Sequence, residues 1–84
     1  MVRKEAVYGC GDSLTPNVAA RLADIAEHYR SRLEMECAGK RVLLDSLIGI
    51  LAVPCQRGSR LAVIAEGEDE AEAAAAIAKA LEAR

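Results

Sequence analysis

The sequence predicts an α+β chain: four short strands and three helices in the order β-α-β-β-α-β-α, with the helices packed on one face of an antiparallel sheet. Three observations lead there. Apolar residues recur at three- and four-residue spacing from Val18 to Tyr29, while Arg32 to Cys37 and Arg60 to Glu66 carry strand patterns instead. Turn formers punctuate the chain between these segments. A tight Gly-containing turn inside one of the strand regions marks a hairpin.

The first strand is read from the weak alternation of Lys4 to Tyr8, broken by Gly9-Cys10-Gly11-Asp12-Ser13. Thr15-Pro16 then opens a helix, since a threonine oxygen can accept the first free N–H groups and proline suits the first helical position. Val18, Ala19, Leu22, Ile25, Ala26 and Tyr29 carry its apolar face to about Tyr29. Arg32 to Cys37 alternates as a half-buried strand should, Ala38-Gly39-Lys40 turns the chain, and Arg41 to Leu44 returns as the hairpin partner. Asp45-Ser46 caps a short apolar helix running from Leu47 to about Val53 and closed by Pro54. The fourth strand is Arg60 to Glu66, with Leu61, Val63 and Ala65 on one face. Glu68-Asp69-Glu70 opens the alanine-rich last helix, and Lys79 and Arg84 near its end complement the helix dipole.

Composition excludes several function classes. The chain has 84 residues, room for one domain spanning 1–84, and a hydrophobic fraction of 52%, too high for a disordered tail. Only Tyr8 and Tyr29 are aromatic, so the core is built from aliphatic residues and alanine. A net charge of -2 and so few stacking platforms argue against nucleic acid as a partner. The longest apolar run, Leu47 to Pro54, is far short of the roughly 20 residues that span a bilayer. Met1-Val2-Arg3-Lys4-Glu5 is charged with no apolar stretch behind it, so a cytoplasmic protein without membrane insertion is expected. Cys10, Cys37 and Cys55 form no CxxC pair, and His28 is the one histidine, so neither a metal site nor a cofactor is expected. Cys10, between two glycines, is the thiol expected to react first.

Three segments together carry a family resemblance. Ser13-Leu14-Thr15-Pro16-Asn17-Val18-Ala19-Ala20 stands against a pattern of Gly-Leu-His-Ala-Arg-Pro-Ala-Ala. Gly39-Lys40 followed by Asp45-Ser46-Leu47-Ile48-Gly49-Ile50-Leu51 stands against Lys-Ser-Ile-Met-Gly-Leu-Leu. Gly58 and then Ala65 to Glu70 match the start of a last helix. In these segments the chain resembles the HPr family, the small histidine phosphocarriers of the bacterial sugar phosphotransferase system. The resemblance implies an open-faced β-sandwich, a four-stranded antiparallel sheet with three helices on one face.

It also implies where this chain departs from the family. The phosphorylated histidine aligns with Thr15 and the following arginine with Asn17. A phosphocarrier uses an imidazole nitrogen because a phosphorus–nitrogen bond passes its phosphoryl group on readily; a threonine ester is too stable to relay. Without the arginine, a guanidinium that clamps phosphate oxygens is also missing. Thr15 is therefore read as an N-cap, and His28, near the end of the first helix, as a solvated surface residue. Ser46 aligns with the serine that a dedicated kinase phosphorylates in many members, although Asp45 puts a like charge beside it. Ala20, Leu47, Ile48 and Leu51 fall where the family presents apolar side chains to its partners.

The expected function is thus an HPr-like regulatory and protein-interaction module, not an enzyme and not a histidine phosphocarrier. Its expected partners are proteins: a transcription regulator, a phosphotransferase-system protein, or an HPr-type kinase. The alternatives are a divergent phosphocarrier that takes phosphate elsewhere, and a small α+β metabolite-binding domain sharing only the fold.

Overall fold

A computed structural model describes residues 1–9, 14–53 and 55–82. Its elements follow the expected order: β1 Val2–Val7, α1 Pro16–Glu27, β2 Arg32–Cys37, β3 Lys40–Leu43, α2 Leu47–Leu51, β4 Arg60–Glu66 and α3 Glu70–Glu82. The strands form one antiparallel sheet in the order β1-β4-β2-β3. β4 therefore lies between β1 and β2, the two strands that flank α1 in sequence.

Alternation along the strands sorts the two faces. Leu33, Met35 and Cys37 of β2 stand level with Ala65, Val63 and Leu61 of β4, and all six are buried beneath the helices. α3 packs over β1 and β4, α2 against β3, and α1 against both α2 and α3. Tyr8, Leu22, Leu44, Ile50, Ile77 and Leu81 complete the core at under 2% exposure. Burial of this kind is worth roughly 1.5–3 kcal/mol for each large aliphatic side chain. On the opposite face, Ala62 and Ile64 of β4 are buried without any helix above them. Charged neighbours cover them: Arg3 of β1 reaches Glu36 of β2 at 3.2 Å, and Arg41 of β3 reaches Glu34 at 2.7 Å. The Arg41 bond holds the Glu34 carboxyl below the usual carboxylate range.

Several boundaries differ from the sequence expectation, each for a local reason. α1 stops at Glu27 rather than Tyr29, because the N–H groups of His28 and Tyr29 turn back three residues, to the carbonyls of Ile25 and Ala26. Tyr29 still packs against the core from the turn, which is why it fitted the apolar spacing. β3 begins at Lys40 instead of Arg41, since the turn is only Ala38-Gly39, both at positive φ (54° and 80°), and Lys40 already pairs with Cys37. α2 ends at Leu51, with Ala52 as its C-cap, instead of reaching Val53. β1 starts earlier, at Val2, because the long β4 offers a partner as far as Ala65. α3 begins at Glu70, two residues after the acidic run opens.

One glycine is required by packing. Gly67, between β4 and α3, has φ +153°, and a Cβ there would lie 2.7 Å from the Cα of Ser31. The β4–α3 and α1–β2 connections therefore touch backbone to backbone.

Candidate functional site

α1 and α2 pack against each other in the helical layer, the start of α1 beside the chain that leaves α2 and the start of α2 beside the end of α1. Thr15 has extended backbone (φ -109°, ψ 162°), and its hydroxyl oxygen accepts the Val18 N–H at 3.3 Å. Its carbonyl accepts the Ala19 N–H at 2.9 Å, and Pro16 occupies the first helical position. Thr15 is thus the N-cap of α1, with its side-chain oxygen engaged by the helix it starts. The Leu14 N–H bonds to the Cys55 carbonyl at 3.3 Å, fixing the start of α1 against the chain that follows α2. Asn17 and Ala20 are exposed on the first turns, while Ala19 and Leu22 point into the core.

Ser46 repeats this arrangement on α2. Its oxygen accepts the Gly49 N–H at 3.1 Å and its carbonyl accepts the Ile50 N–H at 2.9 Å. Ser46 and Asp45 are both exposed. α2 has only five residues, and Ile50 buries its inward side completely. Leu47, Ile48 and Leu51 are left outside, 47%, 84% and 40% exposed. An aliphatic residue at 84% exposure gains nothing from the core, so this side of α2 is an apolar surface patch. Ala20 on α1 and these three residues on α2 thus belong to two packed helices, and all four face solvent.

His28 is exposed and forms the C-cap of α1. Its Nδ1 lies 2.7 Å from the Asp24 carbonyl, which can only accept, so that nitrogen carries the proton. A helix C-terminus disfavours a phosphoryl dianion. Cys37 and Cys55 are buried, the Cys37 thiol 3.6 Å from the Arg60 carbonyl, and Cys10 lies outside the described residues. Among the described residues, no group of three or more His, Cys, Asp or Glu side chains is arranged to hold a metal ion, and no helix is long and apolar enough to cross a membrane.

Sequence reading did not foresee Asp69 as the partner of Arg30 and Ser31, because nothing local in the chain announces a bond across 38 residues. The one sequence trace is the Gly67 that lets the two connections meet.

Comparison with known proteins gives this arrangement its family. Residues 4–83 match the model of the PTS HPr component phosphorylation site family. The chain is 34% identical to phosphocarrier protein HPr of Borreliella burgdorferi, covering 98% of this chain and 95% of that one. It is 31% identical to HPr-like protein Crh of Halalkalibacterium halodurans, covering 92% of each. The crystal structure of HPr-C-His from Thermoanaerobacter tengcongensis superposes with a TM-score of 0.88 at 27% identity, over 98% of this chain and 92% of that one. With its open-faced sandwich and these relatives over nearly its whole length, the chain belongs to the HPr family and is related to the phosphotransferase system.

Proposed function

We propose that this chain is a regulatory, protein-binding HPr module that does not relay phosphate on its first helix and is itself controlled by phosphorylation at Ser46. The observation that carries the reading is the side chain of Thr15. At the position the resemblance assigns to the phosphocarrier histidine stands a hydroxyl bonded to the Val18 N–H. It has no imidazole nitrogen to form a labile bond with phosphorus, and Asn17 supplies no guanidinium. Asn17 is nonetheless exposed, as a phosphate-facing residue would be.

The binding role rests on Leu47, Ile48 and Leu51, exposed on α2, with Ala20 exposed on the α1 helix packed against it. The partners that fit are a transcription regulator or a phosphotransferase-system protein holding this patch, and an HPr-type kinase acting on Ser46. The relative named HPr-like protein Crh, a name that does not say phosphocarrier, is in keeping with this reading. The Borreliella relative, named as a phosphocarrier, keeps a divergent carrier as the second reading. That reading needs phosphate on another residue, and His28 sits at the unfavourable end of its helix. Relatives above 30% identity over nearly the whole chain remove the ground for a metabolite-binding domain that shares only the fold.

The test is incubation with phosphoenolpyruvate and the general phosphotransferase enzyme. The expected result is no acid-labile, base-stable label on the intact chain, and such a label overturns the proposal. Thr15→His with Asn17→Arg should take more label than Thr15→His alone, because the guanidinium returns with the imidazole.

A further inference from the structure

Beside the α1–α2 patch, the later half of α1 stands off from the sheet at the start of β2 and the end of β3. The space between is a hollow of about 140 Å³. Ala23 and Ala26 of α1, Leu33 of β2 and Leu43 of β3 form its apolar lining. The hollow exists because positions 23 and 26 project one methyl group each; longer side chains there would fill it. At this size it takes one long side chain, since sites for whole small molecules run to roughly 300–1,000 Å³.

Its rim is charged. Glu27, at the end of α1, and Asp45, just before α2, both border the hollow and both are exposed. Among the described residues, neither carboxylate has an ion pair or side-chain hydrogen bond. Arg32 is the one cation at the rim. It stands opposite Glu66 in the β2–β4 register, and its positive field already bears on Glu34. The hollow therefore offers hydrocarbon walls inside and an excess of unpaired carboxylate at its mouth.

That combination suits a side chain with an aliphatic stem and a cationic head. Two carboxylates from different elements favour a planar, multi-donor head over a compact ammonium. We infer that this hollow receives an arginine side chain of a partner protein, its stem against Ala23 and Ala26 and its guanidinium turned to Glu27 and Asp45. The site goes beyond the regulatory reading and does not depend on Ser46 being phosphorylated.

The test titrates the isotopically labelled full chain with Nα-acetylarginine methylamide, following backbone amides by NMR, with the citrulline counterpart as a neutral isostere. Saturable shifts at Ala23, Ala26, Glu27 and Asp45 with arginine, and none with citrulline, are expected. Glu27→Gln and Asp45→Asn should each weaken binding roughly two- to fivefold, the scale of an exposed ion pair. Ala23→Leu, which fills the hollow and leaves both carboxylates, should abolish it. The inference is overturned if arginine shifts the amides beside Glu66, Glu68 and Glu82 as much as those of the hollow, if no shift saturates, or if Ala23→Leu binds like the wild type. Ser46 and Ile48, on which the regulatory reading is tested, line no part of the hollow, so the two ideas fail separately.

Discussion

Asp69 grips Ser31 with a single carboxylate oxygen: its Oδ1 accepts both the Ser31 backbone N–H, at 3.0 Å, and the Ser31 hydroxyl. Its other oxygen accepts the Arg30 N–H at 3.0 Å. One side chain at the start of α3 thereby satisfies two backbone donors of the connection between α1 and β2. These bonds, led by the Ser31 hydroxyl, hold the Asp69 carboxyl below its ordinary value of 3.8. A depressed folded-state value stabilises the fold above the unfolded value, and that contribution disappears as pH falls toward the folded one. Acid unfolding below about pH 4 should therefore be blunted in Asp69→Asn, which is less stable than wild type at neutral pH. Denaturant melts at pH 7 and pH 3 check this, and an unchanged pH dependence in Asp69→Asn counts against it.

Thr15→Ala removes the N-cap of α1 and should cost ~1 kcal/mol. In a domain of this size that lowers the melting temperature by roughly 4–8 °C. Binding of any α2 partner should hold. A melting temperature that stays put while partner affinity collapses would make Thr15 a contact residue instead of a cap.

Two isoleucines on either side of Gly49 should behave in opposite ways. Ile50 is fully buried and Ile48 is 84% exposed. Ile50→Ala should destabilise by about 2–5 kcal/mol, enough to unfold much of so small a protein. Ile48→Ala should stay within about 0.5 kcal/mol of wild type. Its effect is expected on partner affinity alone, read in parallel by thermal melts and pull-downs.

Phosphorylation of Ser46 adds about -1.5 to -2 charges at a helix start. Such a charge stabilises by ~0.3–1 kcal/mol, and both the shortness of α2 and the neighbouring Asp45 reduce that. The phosphorylated protein should therefore melt within a few degrees of the unmodified one and differ mainly in what it binds. Wild type, Ser46→Ala and Ile48→Asp, each with and without an HPr-type kinase, separate the outcomes. A partner held by the phosphorylated wild type and lost by both variants supports the reading; a large fall in melting temperature on phosphorylation contradicts it.

The strands were legible where burial is one-sided or uninterrupted. β2 and β4 run over the residues their patterns indicate, because Leu33, Met35 and Cys37 alternate cleanly and Leu61 to Ala65 are all apolar. The exposed side of α2 could be foreseen by counting along the expected Leu47–Val53 segment: so short a stretch cannot turn five aliphatic residues inward, and with Ile50 and Val53 inside, Leu47, Ile48 and Leu51 remain out. The caps Thr15 and Ser46 were visible because capping is a local interaction. The end of α1 was not, since Tyr29 reaches the core from a turn and so mimics another helical position. The hollow rimmed by Glu27 and Asp45 had no sequence trace, as its walls come from α1, β2 and β3 and meet only in the fold.

The strand order carries a consequence for how the protein is made. Synthesised from its amino end, the chain delivers β1 first, yet β1 pairs only with β4, Val2 facing Ala65 and Val7 facing Arg60. Until β4 leaves the ribosome, the earliest strand has no hydrogen-bonding partner in its own sheet. The β2–β3 hairpin, joined by two residues, closes long before. Closing the distant pair is the slow step that topology imposes. The nascent protein thus waits with a strand edge open, and Arg3, Lys4 and Glu5, three successive exposed charges on β1, are placed where they discourage a neighbouring chain from taking it.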